Sequence, residues 1–171
     1  DATAAAEAMM MCYRIRKPNE KERNTFGLLS DVDHHIQDVV IGRAEALGIQ
    51  IALLETETDI DDTFFGVLGQ YPNREGNLGD PVKWATICKE KSIKLAVVAD
   101  LMACVICQPP GEWGADIVVG STQRFGIPMG YGGPYAAFFA TKEEYQRQIP
   151  GRIIGASKDN AGKIAYRMAL Q

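Results

Sequence analysis

Ile117, Val118 and Val119 form an unbroken apolar run. A strand with one face in water alternates apolar and polar side chains, whereas an unbroken run belongs to a strand covered on both faces. A second run, Leu95 to Ala99, behaves the same way and ends on Asp100. Strands of this kind need helices on both sides, which confines the chain to an α/β fold with a mostly parallel sheet. In such sheets ligands gather beyond the carboxyl ends of the strands. The residues after Val119 fit that position. Ser121, Thr122, Gln123 and Arg124 make a polar turn, and Gly126, Gly130, Gly132 and Gly133 let backbone approach a ligand or turn sharply. The stretch from Gly114 to Pro134, GADIVVGSTQRFGIPMGYGGP, therefore reads as buried strand, polar turn and glycine-rich loop, yet its turn offers no nucleophile–base pair.

The rest of the chain supplies the alternation such a sheet requires. Thr3 to Tyr13 is rich in Ala and Met and predicts a helix, capped by Asp1 or Thr3. Lys17 to Thr25 reads as an exposed loop and Phe26 to Ser30 as a short strand. Ile36, Val39, Val40, Ala44 and Leu47 recur at helical spacing, with Gly48 as the stop. Ile49 to Leu54 and Gly66 to Tyr71 predict strands, separated by the acidic loop Asp59 to Thr63. Asp80 caps a helix with Pro81 in its first turn, whose inner face is Val82, Ala85 and Cys88, or Trp84 and Cys88. Tyr135 to Ala140 predicts a last strand and Lys142 to Gln148 a helix, and the glycine-containing basic remainder from Gly151 has no clear assignment. The crossovers between parallel strands are expected to be right-handed.

Composition excludes several functions. With 171 residues, 46% hydrophobic and 23% charged, the chain has enough material for one well-filled core. A formal charge of −4 argues against a nucleic-acid binder or a polybasic membrane reader. No apolar run approaches the ~18–20 residues of a membrane span. The start, DATAAAEAMMMCYRI, lacks the basic opening and apolar core of a secretion signal and has no initiating methionine, as expected of a piece of a longer protein. Cys104 and Cys107 form a C-x-x-C without a second pair, and His34 and His35 are the only histidines, so no metal site is expected. Their apolar surroundings predict buried, inert thiols, and the four cysteines suit a reducing compartment without disulfides. The adjacent histidines cannot share one helix side and read as surface residues.

The candidate site residues are few. Asp100, at a strand end, is placed to hold a cationic ring nitrogen or a metal, or simply to pin a loop. The helix start at Thr3, Ala4 and Ala5 offers free N–H groups to a phosphate. GYGGP is neither a Walker loop nor a dinucleotide fingerprint.

The segments ATAAAEAM, GQYPNREG, VVADLMA, PPGEWGADIVVGSTQRFGIPMGYGGPYAAFFA and PGRIIGASKDNAGKIAYRMALQ resemble the P-protein, glycine decarboxylase, family of the glycine cleavage system. The resemblance runs the length of the chain and is most specific from Pro109 to Ala140. It implies the type I fold of pyridoxal-phosphate enzymes: residues 1–150 would be part of the large domain, and 151–171 a connecting segment packed on or leaving it. The family decarboxylates glycine and passes the aminomethyl group to the lipoyl arm of the H-protein. It has two homologous halves, on one chain or two, and this sequence is similar to the N-terminal one. The half that holds the cofactor covalently carries Asn-Leu-His-Lys-Thr-Phe-Cys-Ile-Pro-His-Gly-Gly-Gly-Gly-Pro. Laid without gaps on Gly120 to Pro134, it matches at Phe125, Ile127, Pro128, Gly130, Gly132, Gly133 and Pro134.

That comparison sets the cofactor lysine against Gln123 and the histidine before it against Thr122. A glutamine amide cannot form an aldimine, and the Arg124 guanidinium stays protonated. Lys142 and Lys158 lie in other contexts. No catalytic residue is therefore expected here, pyridoxal phosphate would belong to the parent enzyme without a covalent bond to this chain, and Thr3 and Asp100 would be vestigial cofactor contacts. Asp100 could equally hold Arg124 or loop amides. Gln123, Arg124 and Tyr131 are candidates to face the catalytic half, and the expected partners are that half, the lipoylated H-protein and glycine. The expected compartment is the bacterial cytoplasm, or the mitochondrial matrix for a eukaryotic source, the bacterial one being favoured. The alternative is an independent α/β domain that binds a phosphate or nucleotide.

Overall fold

Six strands line up in the order β2-β1-β3-β4-β5-β6, the first five parallel and the last antiparallel. The computed structural model describes residues 1–133 and 135–170. The elements are α1 (Ala2–Arg14), β1 (Thr25–Leu29), α2 (His34–Glu45), β2 (Gln50–Leu54), β3 (Phe64–Tyr71), α3 (Pro81–Glu90), β4 (Lys94–Ala99), α4 (Ala103–Ile106), β5 (Ile117–Ser121), β6 (Ala137–Thr141), β7 (Ile153–Lys158) and β8 (Ile164–Leu170). The α/β, mostly parallel sheet expected from the unbroken apolar runs is present. Strand β3 is buried along nearly its whole length, and so is β4.

Helices cover the two faces in different ways. Helix α1 carries four alanines in its first six residues, and Asp1 caps it by accepting from the Ala2 N–H at 2.8 Å. Its Ala5, Ala8, Met9 and Cys12 are fully buried in one core with Phe26, Phe65, Val98 and Ile117. Helix α2 closes the same core through Ile36, Val40 and Ala44. On the opposite face α3 contributes Ala85 and Cys88 to a second core with Val67, Leu95 and Val97. Edge-on packing of Tyr13 against Phe65, ring centres 5.3 Å apart, ties the end of α1 to β3.

A buried carboxylate fixes the sheet's antiparallel edge. Asp116 Oδ2 accepts from the Leu95 N–H of β4 at 3.0 Å, and its Oδ1 accepts from Lys142 Nζ at 2.6 Å, just beyond β6. With both oxygens engaged, the charge is compensated where it is shielded from water.

Several expectations need correction. Val39 and Leu47 are 39% and 48% exposed, so the inner stripe of α2 is Ile36, Gln37, Val40 and Ala44. Val82 is likewise exposed, leaving Ala85 and Cys88 as the buried face of α3. Glu143–Gln148 is a 3-10 segment, since the Lys142–Asp116 clasp holds its start against the sheet and no long apolar face follows. The unassigned remainder forms the antiparallel pair β7–β8, separate from the main sheet. Cys104 and Cys107 are half-buried rather than buried, because they lie in and just after a one-turn helix that has no buried residue, beyond the carboxyl end of β4.

Gly120 shows how closely β5 is crowded. A Cβ there would fall inside contact distance of the Ala99 carbonyl oxygen and 2.6 Å from the Phe138 ring. A backbone oxygen cannot step aside as a side chain can, so overpacking is relieved only by moving a strand. Gly120→Ala is expected to cost about 1–3 kcal/mol in urea unfolding; an unchanged midpoint would show that the strands yield. A second expectation concerns thiols. Burial pushes Cys88 up to about 12 and Cys12 higher still. Under native conditions at mild alkaline pH, a disulfide reagent should modify Cys104 and Cys107 while Cys12 and Cys88 stay unreactive until the chain unfolds.

Candidate functional site

The carboxyl ends of β3, β4 and β5 surround a cleft of about 330 Å³, on the face covered by α1 and α2. Its walls include Asp1 at the start of α1, Gln70 near the end of β3 and Pro72 after it, Asp100 after β4, Ser121 at the end of β5, and Gln123 and Arg124 after it. The loops behind it are laced together. Gln70 Nε2 donates to Asp33 Oδ2 at 2.8 Å while the Asp33 N–H donates to Gln70 Oε1 at 2.9 Å. One loop further out, Asn73 Nδ2 donates to Asp31 Oδ2 at 2.8 Å. These pairs join the ends of β1 and β3, where the order of strands along the sheet reverses.

Asp100 is the most heavily engaged group in the cleft. Its Oδ2 accepts from Arg124 Nη1 at 2.5 Å and its Oδ1 accepts from the Met102 N–H at 3.0 Å. The carboxylate thus holds both Arg124 and a loop amide. The Asp100 side chain is 26% exposed and that of Arg124 64%. Gln123 sits in a 3-10 turn with Arg124 and Phe125. Its N–H donates to Ser121 Oγ at 3.1 Å, and Gly126, at φ +106°, ends the turn in a conformation that suits glycine. Thr3 lies in the first turn of α1 with an exposed side chain; the residue of that helix start that enters the cleft is Asp1. Tyr131 is fully exposed, and Pro134, which closes the matched motif, lies outside the described residues.

Other expected candidates fall elsewhere. His34 and His35 are exposed on the first turn of α2, His34 Nε2 3.1 Å from Arg74 Nη1 and His35 3.8 Å from Asp1. Cys104 and Cys107 gather no metal-binding group: among the described residues no cluster of three or more His, Cys, Asp or Glu could hold an ion. No described helix is long and apolar enough to cross a membrane. Sequence reasoning misses Asp1 as a cleft residue, although its capping role is visible there.

The residues that line the cleft do not fit pyridoxal phosphate. None is a lysine, so no side-chain amine there can condense with an aldehyde. A pyridine N–H would have to share Asp100 oxygens that already accept from Arg124 and the Met102 N–H. A phosphate would meet the Asp1 carboxylate at the helix start, and the cleft carries three aspartates (Asp1, Asp33, Asp100) against the single cation of Arg124.

The chain resembles known proteins throughout its length. The family model described as glycine cleavage system P-protein matches residues 1–171. A glycine dehydrogenase (decarboxylating) of Nostoc sp. is 48% identical over 172 residues, which cover all of this chain but only 17% of that protein. A crystal structure of glycine decarboxylase (P-protein) of the glycine cleavage system, in inhibitor-bound form, superposes with a TM-score of 0.82 at 30% identity, over 99% of this chain and 39% of the other. A sphingosine-1-phosphate lyase of Burkholderia pseudomallei shares the fold, with a TM-score of 0.62 at 14% identity over 97% of this chain and 41% of the other.

Because the Asp100–Arg124 pair is partly exposed, its coupling should be modest. A double-mutant cycle of Asp100→Asn and Arg124→Gln, read by urea unfolding, is expected to give about 0.5–1 kcal/mol. A coupling of zero would show that the pair adds nothing to stability.

Proposed function

This chain belongs to the glycine cleavage system P-protein family, and from that membership we propose that it is a non-catalytic wall of a glycine-decarboxylating enzyme. It spans about a sixth of the length of the curated relatives it matches, so the remaining polypeptide must supply the covalent chemistry. In this reading the parent uses pyridoxal phosphate, decarboxylates glycine and passes the aminomethyl group to the lipoyl arm of the H-protein. The electron sink for that reaction is held by the other half. This chain shapes the entrance.

One observation carries the reading: a cleft at the carboxyl ends of the parallel strands, where type I enzymes work, holds Gln123 and an internally satisfied Asp100. The cleft is retained, but the amine is not. Phe125, Met129 and Tyr131, all exposed beside the turn, give the other half an apolar surface to pack on, with Gln123 and Arg124 as the polar groups nearest it. A free-standing nucleotide-binding role is disfavoured by the acidic lining, because phosphates need cations or free N–H groups.

The test uses the full-length enzyme carrying this sequence. Arg124→Ala and Tyr131→Ala should each lower kcat/KM for glycine about tenfold or more, as misplacement near a reacting centre does, with bound pyridoxal phosphate per enzyme unchanged. Loss of cofactor in step with activity would overturn the reading. So would a borohydride-stable adduct on a lysine of this chain.

A further inference from the structure

Two charges line the cleft: Arg124, paired with Asp100, and Asp1 at the start of α1. We propose that the chain has kept the cofactor cleft and filled it electrostatically from within. The Arg124 guanidinium takes the place of a pyridinium at Asp100, and the Asp1 carboxylate takes the place of a phosphate at the start of α1. The inference rests on the non-catalytic reading above and adds a cause: the cleft excludes the cofactor by charge as well as by lacking an amine.

The geometry supports both halves of the statement. Asp100 lies at the end of the buried strand β4, where a carboxylate without a cation is costly. Arg124 donates a charge-assisted bond to it, and Met102 N–H satisfies the other oxygen. Against the lysine-threonine pair of the cofactor-binding motif, this chain carries Gln123-Arg124. The positive charge is kept in number and moved on by one residue, from a position that reacts to one that pairs. At the other end of the cleft, Asp1 Oδ1 accepts from the Ala2 N–H at 2.8 Å. Helix α1 is 13 residues long, so its first N–H groups present the positive end of a full macrodipole, and a carboxylate already answers it. A phosphate arriving there would face an anion that already takes the Ala2 N–H. Both residues line the same cavity, so they act on the same ligand.

The experiment restores what was removed. The full-length enzyme carrying this sequence is incubated with pyridoxal phosphate and reduced with borohydride; a lysine amine adds to the aldehyde carbon with loss of water, and hydride then fixes the C=N bond. Digestion and mass mapping read the label at residue 123. Four proteins are compared: the natural chain, Gln123→Lys, Gln123→Lys with Arg124→Thr, and those two with Asp1→Ser, which keeps a capping hydroxyl. Folding is checked by circular dichroism. Removal of Arg124 should raise saturable label at position 123 about tenfold over Gln123→Lys alone, and Asp1→Ser should raise it again. The second gain should vanish when pyridoxal, which has no phosphate, replaces the cofactor. If Gln123→Lys alone labels as fully as the others, or the folded combined variant gains nothing, charge does not close the cleft and the proposal fails. Should Asp1→Ser unfold the chain, the Arg124→Thr pair still decides the arginine, and the pyridoxal comparison on that pair decides whether the phosphate is repelled. Label on a native lysine of this chain in the unaltered enzyme would instead overturn the non-catalytic reading itself.

Discussion

The close approach of α1 to the middle of the sheet governs much of this structure. Half of its buried side chains are alanines, so the helix backbone can lie near β3, β4 and β5, with Met9 and Met11 filling the gaps that remain. The opposing surface is cut to match. A Cβ at Gly66 would come 3.1 Å from that of Cys12 and 2.8 Å from the Phe26 ring. The same packing aims the start of α1 at the carboxyl ends of the strands. The position of Asp1 in the cleft is thus a consequence of core packing.

Topology supplies the rest of the cleft. Five parallel strands end on the same side, so the residues just after β3, β4 and β5 meet whatever their separation in sequence. Asp100 and Arg124 are 24 positions apart and pair directly. At the opposite end of the sheet, Asp116 joins β4 to the segment after β6 and holds the antiparallel edge in register. One acidic residue near each end of the β4–β5 region does different work because its surroundings differ. Each accepts one backbone N–H and one cationic side chain, but Asp116 is nearly buried whereas Asp100 is partly exposed.

The core of this fold is legible in the sequence where burial is two-sided. LAVVA and IVV can only be interior strands, and the alanine-rich start can only be a tightly packed helix. Legibility falls where the pattern is one-sided or short. Val39, Leu47 and Val82 sit on helical spacing yet face water, because each lies at the margin of an apolar stripe narrower than spacing alone predicts. The β7–β8 pair is hidden because its exposed isoleucines and tyrosine, interrupted by glycine, carry no clean alternation. In the cleft, Asp100 stands out as a charge ending an apolar run. Arg124 can be named but not paired, since a contact across 24 residues depends on strand register. Asp1 reads as a cap, and only the packing of α1 reveals what else it faces.

A ligand site of this kind has two separable parts. Its shape comes from strand ends, helix placement and the core beneath, so dozens of buried residues hold it and few changes can erase it. Its chemistry comes from a handful of charges at the surface of that shape, and one substitution suffices to remove a reacting amine. Once the amine is gone, the charges left behind are a liability, because a carboxylate aimed into a cleft must be paired or solvated. Arg124 is adjacent in sequence to Gln123, in the turn that follows β5, and reaches Asp100 from there. Its own side chain remains 64% exposed. The guanidinium therefore satisfies Asp100 with one face and still presents N–H donors to whatever covers the cleft. A residue that balances charge within the chain is, for the same reason, the one best placed to meet a partner's carboxylate or carbonyl across the interface.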